Sequence, residues 1–410
     1  MLTMQEQPVS YLSSLSSELS LDEWLKAYNH RSSVFVSPTR SIMAQGQRLR
    51  LRASNADQQL DHKAEQLLQT AKEQGLPPLY MGVLPFNTTK PAYLFVPESI
   101  SSLAGVPIIP TATETEPNYT SATLHAEPLA HEYEQLVAKA LPALNNQPLS
   151  KIVLARTMSV ALDAPLQRHQ LLQNLIRLNP KGYNFGINVD DNEHDNACFF
   201  GASPELLVRR EGSEVSINPL AGTAARVADP IADDAIGQAL LASKKDRHEH
   251  AIVIEQVVSA LSPFCAELHV PDGPSLVKTA TLWHLSTAIR GVLKAPYASS
   301  LKLALAMHPT PAVCGSPTLP ARDFIEGLEP FDREYFAGAA GWCDANGDGE
   351  WAVAIRCGKY AQQQIRLYAG AGIVSASDPT SERKETGNKL RTMLNALAIA
   401  PHLIEQGIQQ

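Results

Sequence analysis

Two acidic helix starts carry the side chains best suited to chemistry. In SERKETGNKL, Glu382, Glu385 and Lys389 fall at i, i+3 and i+7, which a helix would bring to one face. A second acidic start, Lys245-Asp246-Arg247-His248-Glu249-His250, runs into the apolar AIVIEQVVSAL. The plainer explanation of each is a solvated, charged first turn, which the helix dipole favours. That explanation leaves unaccounted for why both helices begin beside segments rich in Gly, Ser and Thr. Carboxylates from two separate helices are hard oxygen donors, suited to Mg²⁺, an ion that keeps several waters and takes one or two protein carboxylates.

Other constellations carry less. His248 and His250 flank Glu249, but HEH lacks the one-turn spacing of the HExxH zinc motif. His284, in HLSTAIRGVL, stands alone and reads as a hydrogen-bonded histidine at a strand start. Asp344-Ala-Asn346-Gly-Asp348-Gly resembles the opening of a calcium loop, yet the position that needs a bidentate glutamate is Ile355. Its strand-like flanks predict a hairpin turn there. Gly338, Gly341, Gly370 and Gly372 fit no phosphate-loop pattern; they read as strand positions where another group approaches the backbone closely.

The elements that must position these groups are a run of short strands with helices between them. Ser33–Gly46 and Pro78–Asn87 read as strand-turn-strand pieces, Leu60–Gln74 as a helix, and 109–125, rich in Thr, Pro and Glu, as a long exposed loop. Lys151–Val160 is a β-branched strand and Leu166–Asn179 a helix. Strands follow at Asn184–Val189, Ala197–Ala202, Leu206–Arg210 and Val215–Asn218. Helices are expected over His248–Leu261 and Glu382–Ala398, the latter with an apolar stripe of Leu390, Met393, Leu394 and Leu397. Lys359–Gln364 and Gln364–Tyr368 bracket a turn. Short links between adjacent strands favour antiparallel pairing, hence an α+β fold with helices packed outside.

Composition bounds the rest. The 410 residues are 44% hydrophobic and 19% charged, an ordinary globular balance, and length alone suggests two or three domains. A net charge of −8 argues against nucleic-acid and anionic-membrane partners, and means that an anionic substrate needs local cations or a metal. The five cysteines, Cys198, Cys265, Cys314, Cys343 and Cys357, form no CxxC pair and read as reduced thiols. With no signal-like N-terminus and no long apolar run, a cytoplasmic protein is expected.

Read in order, KIVLAR, GASPELLVRREG, INPLAGTAAR, SKKDRHEH, HLSTAIRG, MHPTPAVCGSP, EPFDREYFAGAAGW, GEWAVAIRCGKY, LYAGAGIVSASDP and ERKETGNKL resemble the chorismate-utilising enzymes. The family comprises anthranilate, aminodeoxychorismate, isochorismate and salicylate synthases. The resemblance covers nearly the whole chain and is most specific from Lys151 onward. It implies one large α+β domain with antiparallel sheets around a central site, residues 1–125 forming the N-terminal part of the same fold and 126–410 the chorismate-binding region.

The resemblance also implies roles. Lys151 would be the base that activates water, as in isochorismate and salicylate synthases, where ammonia-using relatives usually carry glutamine. A lysine serves as a base only where burial or nearby positive charge lowers its pKa, and the head of an apolar strand fits burial. Glu205 of the SPE motif would be the acid for the leaving hydroxyl. Glu249 and Glu385 would hold Mg²⁺, with Asp246 and Glu382 supporting it. Gly222, Thr223, His284, Tyr335, Arg356, Gly370 and Lys389 would contact the substrate. Ala221 replaces the lysine of the PIKGT block, which disfavours aminodeoxychorismate chemistry, and no glutamine amidotransferase partner is expected. The last third is most similar to siderophore-type isochorismate synthases, which act toward 2,3-dihydroxybenzoate; a monomer is expected. Salicylate synthases share the same catalytic residues, so the motifs leave that product open.

Overall fold

The computed structural model describes residues 21–106, 119, 121–146, 149–190 and 196–410. Segments dense in β-branched and aromatic residues, such as Ser32–Val36, Leu79–Leu84 and Ala92–Val96, form strands buried on both faces. An edge strand, Leu49–Ala53, instead alternates between half-buried and exposed positions.

Every ladder is antiparallel. A 10-stranded sheet runs from Gly315–Ser316 through Lys151–Leu162, Gln364–Ile373, Cys357–Ala361, Cys198–Ser203, Tyr183–Asn188, Ser32–Val36 and Arg40–Gln45 to Ser99–Ala104; Ala122–Glu127 also pairs with Lys151–Leu162. A 9-stranded sheet runs from Cys265–His269 through Ile289–Leu293, Glu214–Asn218, Leu206–Glu211, Gly349–Val353, Ala339–Asp344, Leu79–Leu84 and Ala92–Val96 to Leu49–Ala53. Leu220–Ala225, Leu282–Ser286 and Ser275–Lys278 make a separate 3-stranded sheet.

One apolar cluster joins Phe35, Phe185 and Phe199 of the first sheet to Tyr80, Phe95 and Trp351 of the second, so the main core lies between them. A second cluster packs Met158 and Leu367 against Leu390, Met393, Leu394 and Leu397, the stripe expected on the last long helix. The small sheet has its own cluster of Leu240, Trp283 and Leu285. Both large sheets take strands from either side of residue 125: Val34 pairs with Gly186, and Met81 with Trp342.

The expected strands at 151–218 are present within a residue or two. The two helices begin earlier than their patterns suggest, at Lys244 and Pro379. Ser243 caps the first by accepting from the Asp246 N–H, and Asp378 caps the second by accepting from the Ser381 N–H, with Pro379 inside the first turn. The turn expected inside 78–87 comes later, because Leu79–Leu84 is one unbroken strand. Of the loop expected over 109–125, residues 109–118 and 120 lie outside the described residues. Tyr119 is buried and bridges Ile399, and Ala122–Glu127 is a strand. The Asp344–Gly349 segment is the hairpin turn its flanks predict, with Cys343 paired to Gly349. All five cysteines are unpaired and buried. Among the described residues no helix is long and apolar enough to cross a membrane.

Candidate active site

A cavity of about 390 Å³ opens where the small sheet, the start of Lys244–Leu261, the start of Pro379–Ala396 and the Gln364–Ile373 strand meet. Its lining includes Glu205, Gly222, Thr223, Asp246, Glu249, His284, Arg356, Gly370, Glu382, Glu385 and Lys389. Residues from segments more than 180 positions apart thus converge as the resemblance implies.

Lys151 heads its strand and is fully buried, with Nζ 2.8 Å from Glu249 Oε1. Gly372 makes that pair possible: a Cβ there would stand 2.5 Å from Glu249 Oε1 and 3.0 Å from Lys151 Cε. Burial alone would raise the Glu249 carboxyl, but the charge and hydrogen bond of Lys151, with Lys389 and Lys245, hold it below its ordinary value.

Glu205 sits where the chain crosses from one large sheet to the other, between Cys198–Ser203 and Leu206–Glu211. Burial pushes its carboxyl up to about 7, against the opposing pull of the Leu220 N–H and of Lys151, Arg356 and Lys389. It is therefore a carboxylic acid that keeps its proton near neutrality, the state a general acid requires.

Arg356 and Lys389 share the cavity lining with it. Arg356 is buried in the left-handed region at φ +48, an uncommon state for a residue with a side chain. Its Nη2 lies 3.4 Å from His284 Nε2, and His284 Nδ1 lies 3.3 Å from Thr223 Oγ1. Burial, then the charges of Arg356 and Lys389, push the His284 pKa well below its ordinary value, so the ring is neutral. Lys389 donates to the Gly370 carbonyl at 2.8 Å and pairs with Glu385 at 2.6 Å. Gly222, at φ +81, turns the backbone against Asp246, where a Cβ would lie 3.1 Å from the Asp246 Cβ.

Carboxylates crowd the remaining wall. Burial, then the Glu385 charge, raises the Glu382 carboxyl; burial, partly opposed by the Ser243 hydroxyl, and then Glu249 and Glu385 raise Asp246. Like charges that raise one another in this way suit a hard divalent cation. In this structure their neighbours are lysines: Lys151 on Glu249, Lys389 on Glu385 and Lys245 on Glu382. Among the described residues no three acidic, histidine or cysteine side chains converge into a ready cation cage.

Two expected residues are not on the cavity lining: Lys151 lies behind Glu249, to which it is paired, and Tyr335 lies beside the wall. Tyr335 packs edge-on against Phe199 at 5.6 Å, and the next residue, Phe336, borders the cavity. Lys245, Lys384 and Asn388 also border the cavity but were not anticipated. Lys384 and Asn388 lie one turn apart beside Glu385 and Lys389, a spacing that was available as a signal.

A cavity lined by a carboxyl raised toward neutrality and by cations, with the Lys151–Glu249 pair at its wall, has the groups expected of an enzyme acting on a small anionic molecule. The chain belongs to the chorismate binding enzyme family, which it matches over residues 106–398. It is 40% identical to the isochorismate synthase DhbC of Bacillus subtilis over 390 residues, 93% of this chain and 97% of that protein. It is likewise 40% identical to the isochorismate synthase EntC of Escherichia coli (strain K12) over 373 residues, 89% of this chain and 94% of that protein. The crystal structure of DhbC from Bacillus anthracis, assigned as a 2,3-dihydroxybenzoate-specific isochorismate synthase, superposes with a TM-score of 0.88. That match is 40% identical and covers 93% of this chain and all of that one.

Proposed function

We propose that this protein is an isochorismate synthase, converting chorismate reversibly to isochorismate with Mg²⁺, in the cytoplasm and toward 2,3-dihydroxybenzoate. The observation that carries the chemistry is Glu205, a buried carboxyl lifted to about 7, on the same cavity wall as Glu249, the partner of Lys151. The pathway rests on similarity to the 2,3-dihydroxybenzoate-specific relative. Five unpaired buried cysteines accord with a reducing compartment.

Lys151, in its free-amine form, accepts a proton from water as the oxygen attacks C2 of the ring. The double bonds shift, and the C4 hydroxyl leaves with the Glu205 proton; one water enters and one departs. Arg356, fixed by its backbone and by His284, pairs with the enolpyruvyl carboxylate, and the Gly370 backbone and Thr223 hydroxyl border the substrate. Glu249 and Glu385 would hold Mg²⁺, with Asp246 and Glu382 orienting its waters, and the ion supplies positive charge for the ring carboxylate. Chromatography of the products from chorismate and Mg²⁺, without ammonia or glutamine, tests the reading. Isochorismate is expected; salicylate with pyruvate as the main products would identify a salicylate synthase, and no turnover would reject both.

Two variants probe the pocket. In Glu385→Gln, Mg²⁺ dependence and activity should weaken together, read from kcat against a Mg²⁺ titration; an unchanged titration curve would remove Glu385 from the metal site. Gly372→Ala should push the Glu249 carboxylate and the Lys151 stem apart. Misplacing a reacting group by about 1 Å costs on the order of 10²-fold, so kcat should fall steeply with the circular dichroism spectrum intact. A wild-type kcat would mean that the pair gives way without consequence.

A further inference from the structure

The strand that presents Lys151 has an incomplete edge. On one side Ile152–Val160 pairs without interruption with Ile373–Ile365. The other side is shared: Gly315–Ser316 covers Lys151 and Ile152, and Ala122–Glu127 covers Thr157–Leu162. Between them the Val153 N–H reaches the Cys314 carbonyl at 2.8 Å, and no described strand serves the backbone beyond it. A buried strand cannot leave such groups unpaired at low cost.

Two side chains fill the gap. Glu329 and Arg333 are almost fully buried, paired through Nη2–Oε1 at 2.5 Å and Nε–Oε2 at 2.7 Å. The Arg333 Nη2 donates to the Val153 carbonyl at 2.6 Å, and the Ala155 N–H donates to Glu329 Oε1 at 2.7 Å. The Arg333 Nη1 donates to the Val313 carbonyl at 3.0 Å. The guanidinium also lies 5.6 Å from the Phe336 ring. Val153, Val313 and Phe336 all line the substrate cavity. One fork-shaped ion pair thus takes the place of a missing strand and ties together three pieces of the cavity wall. A lysine at position 333 supplies one point of charge and cannot reproduce the planar fork.

We propose that Glu329 and Arg333 are positioning residues for the reaction: by completing the edge of the Lys151 strand, they fix where the amine stands relative to the substrate. This inference rests on the role proposed above for Lys151. The pair borders a second cleft of about 360 Å³, lined by Phe86, Asn87, Lys90 and Asp332, which gives small ions access to position 333.

The test compares wild type, Arg333→Lys and Arg333→Ala, with kinetics normalised to folded protein and amide hydrogen exchange measured alongside. For Arg333→Lys, kcat should fall at least tenfold while KM for chorismate stays within about twofold, because the groups that bind substrate carboxylates are untouched. In Arg333→Ala, added guanidinium ion, well below denaturing concentrations, should restore part of kcat where equal sodium chloride does not. A wild-type kcat in Arg333→Lys, a loss confined to KM, or no guanidinium rescue of folded Arg333→Ala would each overturn the proposal. Should Arg333→Ala fail to fold, the Arg333→Lys arm decides alone. Exchange at the Ala155 amide separates this failure from that of the functional reading. It should lose protection in Arg333→Lys whatever the reaction, and unchanged protection overturns the inference even if wild type makes no isochorismate.

Discussion

Glu205→Gln is expected to lower kcat by about 10²–10⁴-fold, the usual worth of a positioned general acid, with KM for chorismate close to wild type. The side chain is buried at the crossing between the two large sheets, and burial is the main reason its carboxyl rises to about 7. The sign follows directly. An acid with a pKa near 7 keeps its proton below that pH and loses it above, so the competent form disappears as pH rises. Wild-type kcat should therefore decline through neutrality on the alkaline side, and the glutamine variant, with no proton to lose there, should show no such limb. A pH–rate profile of both proteins checks this. A glutamine variant with the wild-type rate and the same alkaline limb would assign the proton to another group.

Lys151→Ala is expected to reduce kcat by a similar factor, about 10²–10⁴-fold, for loss of the base, while chorismate still binds. Binding should persist because Arg356, His284 and Lys389 lie on other elements. The variant should also be less stable, since it leaves the buried Glu249 carboxylate without its nearest cation, a change that typically costs about 3–5 kcal/mol for a buried pair. Equilibrium binding, turnover and thermal unfolding measured on one preparation separate these effects. Full turnover would place the base elsewhere, and an unchanged midpoint of unfolding would mean that Lys389 and Lys245 already balance Glu249.

Much of this site was legible from local pattern joined to family resemblance. Glu382, Glu385 and Lys389 share a face because helical spacing says so, and the stripe from Leu390 to Leu397 predicts which side packs inward. The helix starts were missed by several residues because Ser243 and Asp378 act as caps upstream of the periodic pattern. Ala130–Asn146 was not anticipated, and Pro142 inside it breaks the usual reading of a helix. The 3-stranded sheet was invisible, since it pairs Leu220–Ala225 with strands some sixty residues later, and pairing partners leave no local trace. Tyr335 came from the resemblance alone, because side-chain orientation in a turn is set by tertiary packing such as its edge-on contact with Phe199. The Glu329–Arg333 pair gave no signal either, because its partners are backbone groups of a strand far away in sequence.

That small sheet packs its own Trp283 and Leu285 against Leu240, joins the main core through Ala221, and contributes Gly222, Thr223 and His284 to the cavity. One side of the cavity thus stands on a small sheet with its own packing, while Val313, Phe336 and Ala337 on its lining belong to the main core. A substitution at Leu240, Trp283 or Leu285 would therefore disturb the substrate wall first, and the main core through Ala221.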